Sequence, residues 1–436
     1  MPQPTRPYAG YFERIAERVA HAPPAPITSP HHGAADLHAR LAAQVEGDRD
    51  SLLALSHDIH AHPETCFDEH HAAAAVARLL AADGITAEVG LWDLDTALRA
   101  SAGEGDHTVA VIAEYDALPE IGHACGHNVI CATAVGAFRA LTRLAADGVL
   151  NGRVELIATP AEEGGGGKEI IARAGGFAGI DAALMIHPFG MDVADHPWLG
   201  VRQVRATYHG MEAHASMMAF MGRNALDAVV QAYTAIAQLR QHMLPTDRVH
   251  GIITEGGQAP NVVPGRASLY FYVRSAEPDT LMALSDRVQA ILESAATATG
   301  TTLDTDWDAS PPYLPLRTNS TLAARYAVNL ADRGRRVLPA GVAPRDLAAS
   351  TDMGNISVRL PSIHPLLAVA PPEVVIHTPE FAKWAVSELA DAATIDGAIA
   401  LARTAADFLH DAELRASAED DFRAEGGELD IIRLLS

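Results

Sequence analysis

The chain has 436 residues, 48% hydrophobic and 20% charged, an ordinary globular composition that at about 150 residues per domain allows two or three domains. Its 32 Lys and Arg stand against 55 Asp and Glu, a net charge of −23, which disfavours an electrostatic grip on nucleic-acid phosphates or anionic lipid, since both need clustered Lys and Arg. Three cysteines are too few for a disulfide framework, and 21 histidines make metal ligation the feature to look for.

Tyr8 to Ala20 and Ala34 to His62 carry apolar residues at helical spacing, separated by a Pro-rich break from Pro23 to Pro30. Met1 to Pro30 lacks the apolar segment of a secretory signal, and no run of about 18 apolar residues suggests a membrane span. A cytoplasmic, reducing location is therefore expected. Glu64 to Ala82 reads as a further helix, Val109 to Ala113 as the first buried strand, and Asn128 to Ala146 as a helix after an irregular segment. Val154 to Thr159 and Ala182 to Ile186 are the next two buried strands. This strand–loop–helix rhythm predicts an α/β core with a mainly parallel sheet.

The middle of the chain changes character. Val204 to Met211, Val249 to Thr254 and Ala267 to Arg274 read as strands, with helices over Asn224 to Met243 and Pro278 to Thr299. Such a block is a smaller α+β domain inserted into the larger one. The expected division is 1–45 as an N-terminal helical extension, 46–202 and 313–436 as a discontinuous larger domain, and 203–312 as the insertion. A last long helix is expected over Thr394 to Ala416, with a solvated acidic tail after Glu419 in which Leu429 to Leu435 can pack.

Polar residues follow the strands, where open α/β sheets place ligands. Val109–Ala113 leads to Glu114, Asp116, Cys125, Gly126 and His127; the second strand delivers Glu162 and Glu163; the third delivers His187. In Cys125-Gly126-His127 the glycine permits a turn that aims thiolate and imidazole at one point. Adjacent Glu162 and Glu163 diverge on a regular strand, but at an irregular strand end one can bind a cation while the other handles a proton. Gly164 to Gly167 followed by Lys168 lacks the spacing of a phosphate loop. The group His57, His60, His62 with Asp58 offers metal donors, but it fits one helix register and reads more plainly as a helix surface or as support behind the site.

The ordered motifs His123-Ala124-Cys125-Gly126-His127-Asn128, Pro160-Ala161-Glu162-Glu163-Gly164-Gly165-Gly166-Gly167 and His214-Ala215-Ser216 resemble the aminoacylase, hippurate-hydrolase and auxin-conjugate amidohydrolase group of family-20 metallopeptidases. Gly222 to Ala228, Pro260-Asn261-Val262-Val263-Pro264 and Ser350 to Asn355 extend the match, which is nearest to the aminobenzoyl-glutamate hydrolase and β-alanyl-lysine dipeptidase branch and spans His57 to Phe381. The resemblance implies a two-metal amide hydrolase whose catalytic domain is interrupted by a dimerisation, or lid, domain. It implies Cys125, His127, Glu163, His187 and His377 as metal ligands, Glu162 as general base, and Asn261 and His214 as lid residues that hold the substrate, His214 acting from the partner subunit of a homodimer. Asn128 stands where many relatives carry Asp, Ala219 replaces a common proline, and the N-terminal extension is longer than usual.

Two cations about 3.5–4 Å apart would activate water and grip the carbonyl oxygen. Zn or Mn is expected from the donor set, with Co admissible. Arg274 is a candidate for binding a substrate carboxylate, with a lid salt bridge as its alternative. His364 is expected near the site as the rival of His377. The expected substrate is an N-acyl amino acid or unusual dipeptide; an aminopeptidase or carboxypeptidase of the same architecture, or a non-catalytic metal-binding scaffold, are the rival readings.

Overall fold

A computed structural model describes residues Gly10–Pro23, Ile27–Val342 and Leu347–Leu435; the expected helix start at Tyr8 and the middle of the Pro-rich break lie outside them. The chain divides into two compact units. One comprises Met1–His196, Arg317–Leu347 and Asn355–Leu429; the other comprises Pro197–Leu316, Ala348–Gly354 and Asp430–Ser436, beside sequence-based bounds of 203–312 for the insertion.

The larger unit is built on a six-stranded sheet. Its strands are β1 (Ala87–Val89), β2 (Leu98–Glu104), β3 (Thr108–Glu114), β4 (Gly152–Thr159), β5 (Ala182–Leu184) and a final short strand Ser362–Ile363, in the order β1-β2-β4-β3-β5 and then Ser362–Ile363. From β4 onward every pairing is parallel, whereas β1 and β2 form an antiparallel edge. Val109 to Ala113 and Val154 to Ala158 are buried throughout, including Glu155, which pairs with Arg99, as expected for strands covered on both faces. The helix His127–Ala146 fills the space beside them. It is long and apolar enough to cross a membrane, which qualifies the expectation from apolar run length, but 78% of that apolar window is buried in the protein, as in a core helix.

Several elements differ from the sequence reading for identifiable reasons. Ala34 to His62 forms two helices, Ala35–Gly47 and Arg49–Ala61, broken at Asp48, whose carboxylate accepts both terminal nitrogens of Arg143 at 2.6 and 2.9 Å. The next helix starts at His70 instead of Glu64, because the Glu64 carboxylate folds back to accept from the amides of His71 and Ala72 at 2.8 and 3.0 Å. His187 does not end a strand that begins at Ala182. It opens another, His187–Phe189, in a second four-stranded sheet. The last long helix is two, Glu388–His410 and Ala412–Ala424, separated by Asp411, which caps the second by accepting from the Glu413 and Leu414 amides. The tail after Glu419 is accordingly structured: Asp421 accepts from the Ser320 and Thr321 hydroxyls.

The smaller unit is a four-stranded antiparallel sheet in the order Thr302–Trp307, Gly200–His209, Arg266–Ser275, Arg248–Glu255, with the helices Ala225–Leu239 and Pro278–Thr299 packed on it. Its core comprises Val204, Ala206, Tyr208, Leu269, Phe271 and Val273 from the strands, with Val229, Ile236, Val288 and Leu292 from the helices. Thr302–Trp307 escaped the sequence reading because it is an edge strand of alternating Thr, Asp and apolar residues with no fully buried position.

Candidate active site

The loops after β3 and β4, the start of His187–Phe189 and the segment before the helix Pro379–Trp384 bring Cys125, His127, Glu162, Glu163, His187 and His377 together. Two ligand groups share one sulfur: Cys125 with His127 and His187, and Cys125 with Glu163 and His377, in each case with donor atoms within 4.8 Å of one another. Cys125 Sγ lies 3.4 Å from His187 Nε2, and His377 Nε2 lies 3.3 Å from Glu163 Oε1. Glu162 is 6% exposed, with Oε2 3.8 Å from His127 Nε2. Gly126 makes the turn possible: its φ is +82°, and a Cβ there would lie 2.9 Å from Pro188 Cβ.

Two non-glycine residues adopt left-handed backbone conformations here, Ala161 at φ +58° and His377 at φ +60°. Each such residue costs on the order of 1–3 kcal/mol and persists only where its surroundings fix it. The Ala161 amide donates to Glu69 Oε1 at 2.9 Å, and the His377 amide to the Ala124 carbonyl at 2.8 Å. Those two bonds fix the backbone beside Glu162, which faces His127, and at His377, which faces Cys125 and Glu163.

The donor set suits divalent cations, and the hydrogen bonding supports that use. His127 donates from Nδ1 to Asp116, 2.8 Å from its carbonyl and 3.0 Å from Oδ1, while its buried Nε2 makes no hydrogen bond. His187 Nδ1 is committed to the Pro188 carbonyl at 2.8 Å, which turns Nε2 toward Cys125. Burial alone would raise the Cys125 thiol, but His187 and His127 outweigh it and hold it well below the usual thiol range. Burial disfavours charge on His127, yet Cys125 and Asp116 carry its pKa well above that of an ordinary imidazole. Against the same opposing effect of burial, Cys125 and Glu163 push His377 up to about 10. A thiolate sharing charge with imidazoles on both sides is the arrangement a cation replaces.

A second ring of residues, which the sequence reading left without roles, steadies this group. Asp116 holds His127 and also accepts the Glu163 amide at 2.8 Å; although buried, its carboxyl stays below the usual range because His127 faces it. The Cys66 thiol donates to the Glu163 carbonyl at 3.1 Å, and burial raises its pKa. Fully buried Lys168 pairs with Glu114, whose Oε2 is 3.5 Å from His127 Nε2. Sequence offered no direct signal for Cys66, since 97 positions separate it from the backbone it touches. Asn128 donates to Ser56 Oγ and the Ala385 carbonyl, so its amide anchors helices. His364 is buried with its ring 5.4 Å from and edge-on to that of His187, outside the ligand groups found among the described residues.

His214, Asn261 and Arg274 belong to the smaller unit. The segments of the first two pair: the Ala215 amide donates to the Asn261 carbonyl and the Val263 amide to the Ala213 carbonyl, both at 2.9 Å. His214 Nδ1 accepts from the Met217 amide at 3.2 Å, which leaves Nε2 as the outward edge of an exposed ring. Arg274 donates to Ser350 Oγ at 2.5 Å and to His250 Nε2 at 3.2 Å. The histidine group read on one helix separates, His57 bonding Asp391, His60 the Ala382 carbonyl, and His62 turning to Asp58.

Residues 199–299 match the family model described as a peptidase dimerisation domain. Over 421 residues, 93% of this chain and 97% of the relative, the chain is 35% identical to the Xaa-Arg dipeptidase of Mus musculus. It is 34% identical over 294 residues, 63% of this chain and 61% of the relative, to one of the p-aminobenzoyl-glutamate hydrolase subunits of Escherichia coli. A solved dinuclear metal-binding peptidase of the M20 family from Bacillus subtilis superposes with a TM-score of 0.59 at 21% identity, covering 80% of this chain and 98% of that one. The shared sulfur, the paired glutamates and these likenesses agree, and the chain belongs to the M20 family of metallopeptidases.

Proposed function

We propose that the chain hydrolyses the amide bond of a dipeptide or N-acyl amino acid at two divalent cations held by Cys125, His127, Glu163, His187 and His377. The observation that carries this reading is the Cys125 sulfur common to two ligand groups, with the buried Glu162 carboxylate beside them. When bound, such a pair lowers the pKa of water and polarises the scissile carbonyl. Zn or Mn fits thiolate, imidazole and carboxylate donors, with Co admissible.

The chain's own groups do the rest. Glu162 takes a proton from the attacking water and returns it to the leaving nitrogen as the C–O bond forms and the C–N bond breaks. Asp116 fixes the His127 tautomer through Nδ1, and Pro188 fixes that of His187. His214, presented by the loop paired to Asn261, donates to the carbonyl oxygen as it gains charge, from the partner subunit of a homodimer. The names of the relatives point to the substrate class: an Xaa-Arg dipeptide and p-aminobenzoyl-glutamate are both amides whose leaving group is an amino acid. Three free cysteines, two of them buried, support residence in a reducing compartment.

The test is a hydrolysis screen of metal-loaded protein over Xaa-Arg and β-alanyl dipeptides, p-aminobenzoyl-glutamate and N-acyl amino acids. Turnover of at least one of these is expected. Activity confined to longer peptides would replace this reading with an exopeptidase, and loss of all activity with full metal content would leave a binding scaffold.

A further inference from the structure

Asp58, His62 and His71 form a cluster that the proposed hydrolysis does not use. One donor atom from each lies within 4.8 Å of the others. His71 Nε2 is 2.8 Å from Asp58 Oδ2, His62 Nδ1 is 3.2 Å from Asp58 Oδ1, and the two imidazole centroids are 4.3 Å apart. His62 lies one helical turn after Asp58 and immediately follows the helix Arg49–Ala61, whereas His71 lies in the first turn of His70–Ala82. The helix register therefore explains Asp58 with His62, but not the arrival of His71 from the next helix. His62 Nδ1 also lies 2.9 Å from the Asp58 carbonyl, so one ring nitrogen meets both the carbonyl and the carboxylate of the residue one turn before it.

We infer that these three residues bind a third divalent transition-metal ion, separate from the catalytic pair. Two imidazoles and a carboxylate are a borderline donor set that suits Zn, Co, Ni or Cu and disfavours Mg or Ca. All three side chains are partly exposed, so the ion enters from solvent and keeps water on its open positions.

The location gives the ion a consequence. It closes the ends of the ten-residue segment from His62 to His71, and a clip of this kind removes conformational freedom from the loop between its ends. That loop reaches the active-site wall at three points. The Glu64 carbonyl accepts the Ala117 amide at 2.7 Å, the Cys66 thiol meets the Glu163 carbonyl, and Glu69 holds the amide of the strained Ala161. The third ion thus stiffens the support of Glu162 and Glu163 while touching neither.

The site does not depend on the hydrolase reading, and it is tested without activity. Wild-type protein and His62→Ala/His71→Ala are dialysed against the same buffered free Zn(II), and bound zinc per chain is measured together with hydrogen exchange over residues 63–70. Wild type should hold one more equivalent than the double variant, and zinc should slow exchange in this segment only in wild type. Circular dichroism establishes that the variant is folded; His62→Gln, which keeps a polar side chain at the helix end, provides the second variant and should lose the same equivalent. Equal stoichiometry in wild type and both variants, or an extra equivalent that leaves exchange at 63–70 unchanged, would overturn the inference. The extra equivalent retained in wild type with no zinc at the Cys125 group would leave this inference standing and count against the catalytic assignment.

Discussion

Cys125 Sγ lies 3.4 Å from His187 Nε2, and the same sulfur closes a second ligand group with Glu163 and His377. Removing the shared atom should therefore cost more than removing a ligand that serves one group. Cys125→Ala is expected to lose both catalytic ions, whereas His187→Ala keeps about one of the two. Elemental analysis of the purified variants checks this, with His62→Ala/His71→Ala as the background so that the peripheral cluster does not enter the count. A full catalytic complement in Cys125→Ala would remove the sulfur from the centre.

Asp116 is buried and serves two residues at once, the His127 ring and the Glu163 amide. Asp116→Asn should keep the fold but weaken metal affinity by about 10- to 100-fold, the usual cost of losing the carboxylate behind a ligating histidine. Competition with a chelator of known affinity measures the change. Unaltered affinity would mean that the His127 tautomer is held by the Asp116 carbonyl alone.

What the sequence made legible follows from the range of each interaction. Cys125-Gly126-His127, Glu162-Glu163 and His187 sit near strand ends, so hydrophobic runs locate them, and the buried β3 and β4 were readable for the same reason. Strands without a continuous apolar run, Leu98–Glu104 and Thr302–Trp307, were not. Helix breaks at Asp48 and Asp411 were missed because the apolar spacing continues through them, and the break depends on where each carboxylate finds its partners. Cys66 and Lys168 act on groups brought near by the fold, and no local pattern marks them, whereas the strand end locates Asp116 without revealing that it serves His127 and Glu163. His71 is the plainest case: its partners Asp58 and His62 belong to a different helix segment, which spacing within one helix cannot reveal.

Away from the active site, Asp407 receives His38 at 2.7 Å, Arg325 at 2.6 Å and Asn329 at 3.1 Å in the interior of the larger unit. Burial alone would raise its carboxyl, but His38 and Arg325 outweigh burial and keep the pKa below the usual value. Its contribution to stability is thus present above the unfolded carboxylate pKa of about 3.9 and is lost as pH falls through the lower folded value. At neutral pH Asp407→Asn should be less stable by about 3–5 kcal/mol, since it leaves a buried guanidinium without its counter-charge. Urea unfolding across the acid range should show that deficit shrinking as the wild-type carboxylate protonates. A constant deficit would mean that Asp407 acts through packing alone.

If His214 acts across a twofold interface, two inactive variants should repair one another. Mixed dimers of His214→Ala and Glu162→Gln contain one site with both unmutated residues and one site with neither. Random 1:1 exchange should recover about a quarter of wild-type activity, because half the dimers are mixed and each has one intact site. No recovery despite demonstrated subunit exchange would place His214 in its own chain's site or outside the reaction.

Hydrolysis at this site depends on Glu162 moving the proton of a metal-activated water, and Glu162→Gln isolates that step. Glu162 shares a candidate ligand group with Glu114 and His127 but lies in neither group containing Cys125. The amide is nearly isosteric and keeps an oxygen donor, so metal content and fold should be retained while kcat falls by about 10²–10⁴-fold or more. The paired measurement is metal stoichiometry and kcat on the same protein preparation, against the substrate the screen identifies. Full metal with near-normal kcat would contradict the role of Glu162 as base.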